Sequence, residues 1–251
     1  MPRILYTALF CLLLPVYFAR LCWKGLSNKE YFLRWSERLG YSSELPSKDK
    51  SIIWIHAVSV GEVNASMSLL RSLITDYPYS EILVTTTTPT GSKLLIDRLG
   101  NKIKHQYLPV DIPFFINSFL NKWNPKILIL LETEIWPNLI NICKSRGIYS
   151  ALVNARLSEK SKKNYLNFRA LIRPVIENID LILTQFESDK RRFQEIVERK
   201  DINTCGNLKF DQDVPAELED ISKSIKKDWS IDGKYRPTLI AASTHETEEK
   251  E

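Results

Sequence analysis

The chain has 251 residues, 44% of them hydrophobic and 26% charged, which is ordinary for a globular protein and enough for one large domain or two small ones. A formal net charge of +5 is too small to indicate a nucleic-acid partner, and four cysteines without C-x-x-C spacing argue against a disulfide framework or a structural zinc site. The basic excess is local. Residues 1–50 carry eight Lys/Arg against four acids, a net of +4, beside an apolar segment, a pairing that suits an anionic membrane surface.

No charge lies between Arg3 and Arg20. As a helix, Ile4–Ala19 would span roughly 24 Å, against about 30 Å for a hydrocarbon core, and Pro15 is expected to kink it. Tyr17, Phe18 and Arg20 fit poorly before a leader-cleavage site. A transmembrane helix and a monotopic anchor both stay open, and the length favours the second. Residues 1–22 are therefore read as an apolar membrane-anchor helix. Residues 23–50 are read as a basic amphipathic interface segment. There Trp23, Tyr31, Phe32 and Trp35 alternate with Lys24, Lys29, Arg34 and Arg38, as at a headgroup layer. An amphipathic helix packed on the domain would show the same pattern.

From residue 51 short apolar runs alternate with helical patterns. The runs are Ile52–Ile55, Ile82–Thr86, Ile127–Leu131, Tyr149–Val153, Leu181–Thr184 and Thr238–Ala241. Most are continuous, as expected for strands buried on both faces. Helices are predicted over Val63–Ile74, Gly91–Leu99, Pro113–Trp123, Pro137–Arg146, Lys160–Glu177 and Glu187–Glu198. This alternation predicts an α/β fold: a Rossmann-like parallel sheet with helices on both faces, covering 51–216. Ligands bind such sheets at the strands' C-terminal ends. Residues 217–237 read as a helix and linker, and 238–251 as the start of a further domain.

Four motifs fall just after strands. Ser59-Val60-Gly61-Glu62 opens a helix. Gly61 is expected to permit a tight turn, and the first helical turn favours the Glu62 carboxylate in its charged form. Glu62 is thus either a helix-dipole acid or a general base. Glu132-Thr133-Glu134-Ile135-Trp136-Pro137 follows five apolar residues. Extended backbone would point Glu132 and Glu134 to opposite sides, one capping a helix and one facing a ligand. Asn154-Ala155-Arg156-Leu157-Ser158 offers Arg156 as an anion fork or as a partner of those glutamates. Gly206-Asn207-Leu208-Lys209 offers Lys209 for developing negative charge, or as a surface ion-pair residue. No dinucleotide or phosphate-loop glycine motif and no nucleophile elbow is present.

Taken together, WIHAVSVGEV, TTTTPTGS, ETEIWPNL, NARLSEKS, CGNLKFD and AASTHE resemble, in order and approximate spacing, the bacterial 3-deoxy-D-manno-octulosonic acid (Kdo) transferases of lipopolysaccharide synthesis. The resemblance implies the N-terminal half of a GT-B glycosyltransferase, with a CMP-Kdo donor and a lipid A precursor acceptor at the cytoplasmic face of the inner membrane. It implies inversion at the anomeric centre, with no cofactor and no bound metal. Carried across, Glu62 matches the family's base, while Glu132 and Lys209 match positions that stabilise the transition state. Ser59, Gly61, Arg156 and Ser158 are the expected substrate-binding residues. The family's main nucleotide-binding residues lie beyond residue 251, so 238–251 is expected to be a truncated start of the donor domain, and the chain alone is expected to transfer little. The competing expectations are a GT-B enzyme with another activated sugar, and a non-catalytic membrane-peripheral remnant that binds the lipid acceptor.

Overall fold

The N-terminal apolar run forms one helix, α1 (Pro2–Ser27), in a computed structural model that describes residues 1–211, 216–231 and 234–235. It outlasts the predicted 1–22 because Leu21 and Gly25 are buried and extend its packed face. Its 26 residues measure about 39 Å at 1.5 Å per residue, and the helix continues through Pro15. It is long and apolar enough to cross a membrane, with mean hydropathy 1.9. One face is nevertheless committed to the domain. The Tyr6 hydroxyl donates to Asp111 at 2.9 Å, Thr7 pairs with Asn138 at 3.0–3.1 Å, and Tyr17 accepts from Arg38 at 3.2 Å. The other face exposes Ile4, Leu5, Leu9, Leu12, Val16 and Trp23.

The basic segment that follows turns two of its arginines inward, against the expected headgroup pattern. Arg34 forks onto Glu37 at 2.7 and 2.8 Å, and its guanidinium also meets His105. Arg38, on the short helix α2 (Trp35–Arg38), is only 1% exposed and lies 4.1 Å from the Tyr107 ring centroid. The Trp35 ring packs on Phe18 of α1, 5.0 Å between centroids.

The apolar runs then pair into one parallel sheet. Its strands are β1 (Ser51–His56), β2 (Ser80–Thr86), β3 (Lys104–Tyr107), β4 (Ile127–Leu131), β5 (Tyr149–Ala155), β6 (Leu181–Thr184) and β7 (Ile202–Thr204), ordered β3-β2-β1-β4-β5-β6-β7. Successive strand residues face opposite sides. Accordingly Ile52 and Trp54 join one core with Phe119, Leu128 and Leu139, while Ile53 and Ile55 join another with Val63, Leu70 and Leu95. Helices α3 (Val60–Ala65), α4 (Met67–Asp76) and α5 (Pro89–Leu99) cover the second face. Helices α6 (Pro113–Trp123), α7 (Pro137–Ser145), α8 (Glu159–Asn167), α9 (Arg169–Glu177) and α10 (Glu187–Ile196) lie against the first.

Sequence periodicity passes over β3, while β7 falls on the run Asp201–Thr204 ahead of Gly206. β3 reads Lys-His-Gln-Tyr, yet His105 and Gln106 are buried because Thr86 and Trp123 supply hydrogen-bond partners at 3.0 and 2.7 Å. Two long predicted helices are each two helices, broken at Ser66 and at Phe168. The chain order reverses between β1 and β4, so a crevice opens beyond their C-terminal ends.

Residues 213–251 form a second unit. Within it, α11 (Ala216–Asp228) is followed by an antiparallel pair, β8 (Ser230–Ile231) and β9 (Lys234–Tyr235), where a linker was expected. The expected strand Thr238–Ala241 and segment 238–251 lie outside the described residues.

Candidate functional site

The loops leaving β1 and β4 bring three glutamates to that crevice. After β1, Ser59 has extended backbone and caps α3, its Oγ accepting from the Glu62 N–H at 3.4 Å. Glu62 reaches back, its carboxylate accepting from the Val58 N–H at 2.8 Å and from the Ser59 hydroxyl at 3.1 Å. This reciprocal box holds the carboxylate in one place. Gly61 lies inside α3 without a positive φ, and an added Cβ would meet only Ser59 Oγ at 3.7 Å, so no tight turn requires glycine there.

Glu62 is 7% exposed. Burial raises its pKa above the ordinary carboxylate range, the Val58 and Ser59 hydrogen bonds pull it back, and the charge of Glu132 adds to the rise. The helix start therefore does not dominate, against the sequence expectation; burial does. A carboxylate displaced toward neutral pH is a stronger base than an exposed one.

After β4 the backbone turns at Glu132, whose φ of 55° is left-handed. Extended alternation fails at this point, and Glu134 is close enough to both Glu62 and Glu132 to feel their charges. Neither Glu132 nor Glu134 caps α7. That role belongs to Asp111, which accepts from the N–H groups of Asn138 and Leu139 at 3.0 and 2.8 Å. Glu134 instead accepts from the Trp136 indole at 2.8 Å, and its Oε2 stands 4.0 Å from His56 Nε2. Burial first, then the Glu62 charge, push the Glu134 pKa up to about 7. Burial pulls His56 down to about 4, so its ring is neutral. His56 Nδ1 meets the Thr85 carbonyl at 3.1 Å and the Thr85 hydroxyl at 2.9 Å, and its buried Nε2 has no hydrogen-bond partner. Glu134 was weighed only as the alternative to Glu132 and His56 was not among the expected site residues; the signal available was their position, just beyond a strand end and at one.

On the other side of the crevice, three amides fix the turn that carries Lys209. Asn154, left-handed at φ 57°, accepts from the Leu208 N–H at 3.1 Å through its side chain. Gln185 donates to the Asn154 carbonyl at 3.1 Å and accepts from Asn207 at 3.2 Å. The Leu208–Asp211 turn packs beside α3, with Leu208 against the core that includes Val63. Lys209 is thus brought to the Glu62 side of the sheet, exposed and, among the described residues, without an ion pair.

Arg156 is exposed and forms no ion pair with Glu132 or Glu134; its carbonyl instead accepts from the Thr133 hydroxyl. Ser158 caps α8, accepting from the Ser161 N–H at 3.1 Å. These two share the strand-end edge but are not drawn into the glutamate cluster. A cavity of about 560 Å³ adjoins the site between α1 and the sheet edge, reached by Glu134, Val58 and Thr87.

Residues 33–212 match the family model described as 3-deoxy-D-manno-octulosonic-acid transferase (kdotransferase). The chain is 38% identical over its whole length to the 3-deoxy-D-manno-octulosonic acid transferase of Haemophilus influenzae, covering 58% of that protein. It is 36% identical over 84% of its length to the enzyme of the same name from Rickettsia felis, covering 45% of it. A probable mitochondrial 3-deoxy-D-manno-octulosonic acid transferase of Arabidopsis thaliana is 32% identical over 98% of the chain, 55% of that protein. The chain therefore spans about half the length of these relatives. Among solved structures, the UDP-GlcNAc 2-epimerase of Neisseria meningitidis superposes with TM-score 0.48 at 13% identity, over 71% of this chain and 54% of that one.

Proposed function

The chain belongs to the 3-deoxy-D-manno-octulosonic acid (Kdo) transferase family, and on that premise we propose that it is the acceptor-binding half of a glycosyltransferase that moves Kdo from CMP-Kdo to a lipid A precursor. In this reading it is the N-terminal half of a GT-B enzyme, works at the cytoplasmic face of an inner membrane and is held there by α1. The observation that carries the proposal is Glu62, buried and hydrogen-bonded at the crevice where the sheet order reverses.

Glu62 takes the proton from an acceptor sugar hydroxyl as that oxygen attacks the anomeric carbon of Kdo. The bond from that carbon to the CMP phosphate oxygen breaks, CMP leaves with the electron pair, and the anomeric centre inverts without a bound metal. Lys209 offsets negative charge on the donor carboxylate or the departing phosphate. Glu132 stands near enough to Glu62 to raise its pKa, and its carboxylate stabilises positive charge at the anomeric carbon. Glu134, its pKa raised by burial and by the Glu62 charge, keeps the three-carboxyl cluster from carrying three full charges near neutral pH.

The test is transfer of labelled Kdo from CMP-Kdo to a lipid A precursor. Two proteins are compared: the 251-residue chain, and a chimera of residues 1–212 joined to the C-terminal part of the Haemophilus influenzae relative. The chimera is expected to transfer, and the chain alone to transfer little. A folded chimera that binds CMP-Kdo yet transfers nothing would contradict the proposal.

A further inference from the structure

The cavity that reaches Glu134 is elongated along α1. Its α1 wall runs from Phe10 to Lys24, fourteen helical rises or roughly 21 Å. Its volume, about 560 Å³, lies within the roughly 300–1,000 Å³ usual for ligand sites. Phe10, Leu13, Leu14, Leu21, Leu108 and Val110 make most of the lining aliphatic or aromatic. Leu13 and Val16 line the groove and are also exposed on the outside of α1, so the groove opens onto the helix's bare apolar face.

Its charged lining is three bases against two acids. Arg20, Lys24 and Arg38 all border it, and among the described residues no carboxylate lies within ion-pair distance of any of them. Arg38 is the most telling. It is 1% exposed, it donates only to the Tyr17 hydroxyl and the Thr87 carbonyl, and its Nε has no partner. The Tyr107 ring face, 4.1 Å away, offsets part of its charge but is no counter-ion, and an anion brought beside a buried guanidinium lowers the remaining cost. Of the two acids on the wall, Asp111 is engaged by Tyr6, Asn138 and Leu139, and Glu134 sits toward Val58, the residue whose N–H holds Glu62.

An apolar channel with bases on its wall, open to the exposed apolar face of α1 and ending at Glu134 and at Val58, whose N–H bonds Glu62, fits an anionic amphiphile. We infer that the groove under α1 holds one acyl chain of the lipid acceptor, with the acceptor's phosphate against Arg20, Lys24 and Arg38 and its sugar at Glu134 and Glu62. This rests on the acceptor reading above. It adds that α1 is a wall of the acceptor site as well as an anchor, so one chain is drawn out of the bilayer before transfer.

The test uses the 251-residue chain in phosphatidylglycerol/phosphatidylethanolamine vesicles, with a lipid A precursor bearing a photoactivatable diazirine on one acyl chain. Labelled residues are mapped by peptide mass spectrometry. Labelling is expected at Leu14, Leu21, Leu108 and Val110, to fall at least fivefold with excess unlabelled precursor, and to persist with excess phosphatidylglycerol. Val110→Trp, which fills the groove, is expected to lower it by a similar factor, with folding checked by circular dichroism. Labelling confined to Ile4, Leu5, Leu9, Leu12 and Trp23 would overturn the inference, as would equal competition by phosphatidylglycerol; both are read on the unmodified chain. The outcomes separate the two proposals. Groove labelling in a protein whose chimera cannot transfer Kdo leaves this site standing and removes the function, and the reverse result does the opposite.

Discussion

The two turns that flank the sheet's reversal point solve the same problem differently. Both must place a carboxylate beyond the end of a buried strand. After β1, Glu62 is held by a capping box in which each partner satisfies the other, and its backbone is ordinary helix. After β4, Glu132 takes a left-handed φ, Glu134 packs in a half-dry position, and the cap of the following helix is borrowed from distant Asp111. The first turn is locally stable and positions one group. The second carries backbone strain and crowded charge, the usual marks of a residue placed for chemistry rather than for folding.

That contrast can be broken or sharpened by substitution. The largest effect is expected from Glu62→Gln, which removes the proposed base and is predicted to slow Kdo transfer by the chimera roughly 10²–10⁴-fold. Glu132→Gln changes the neighbouring turn, and a larger loss there would invert the assignment of roles.

A smaller effect, in stability, is expected at Glu134. Its folded pKa of about 7 lies above the ordinary 4.5. Stability from this group is therefore fully present below about pH 4.5 and is lost as pH rises through about 7, by an amount on the order of 3 kcal/mol. Glu134→Gln is predicted to flatten that part of the curve in urea titrations at pH 5 and pH 8. The flattening will be incomplete, because Glu62 is shifted in the same direction. An unchanged slope would mean that Glu134 is ionised throughout.

Ser59→Ala removes the box and is expected to cost about 1 kcal/mol, read as a lowered urea midpoint. Glu132→Gly is expected to change stability least. It relieves a left-handed residue worth about 1–2 kcal/mol but frees the unfolded chain, leaving a net gain of roughly 0.5 kcal/mol. A net loss would show that the carboxylate itself stabilises the turn.

The same contrast explains what the sequence made legible. Ser-x-x-Glu is a local code, so the α3 start could be read from four residues. The continuous runs Ile52–Ile55 and Ile127–Leu131 announced strands buried on both sides, and with them the doubly wound sheet. The β4 turn could not be read this way. That Glu132 and Glu134 converge depends on a single left-handed residue, and that Asp111 caps α7 depends on a contact 27 positions away. The expected strand stopped at Ile55, whereas His56 ends β1; only the buried packing shows its unpartnered Nε2 turned toward Glu134. Likewise Arg34 and Arg38 fit a headgroup pattern by spacing, while their partners Glu37, Thr87 and Tyr107 draw them inside.

The central claim is that Glu62 is the base and that burial, more than the helix start, sets its strength. The pH dependence of kcat/KM for Kdo transfer by the chimera tests this most directly, since its acid limb reports the base of the free enzyme. The predicted limb lies above the ordinary glutamate value and disappears in Glu62→Gln. A limb that persists unchanged in that variant, at near-normal rates, would contradict the account.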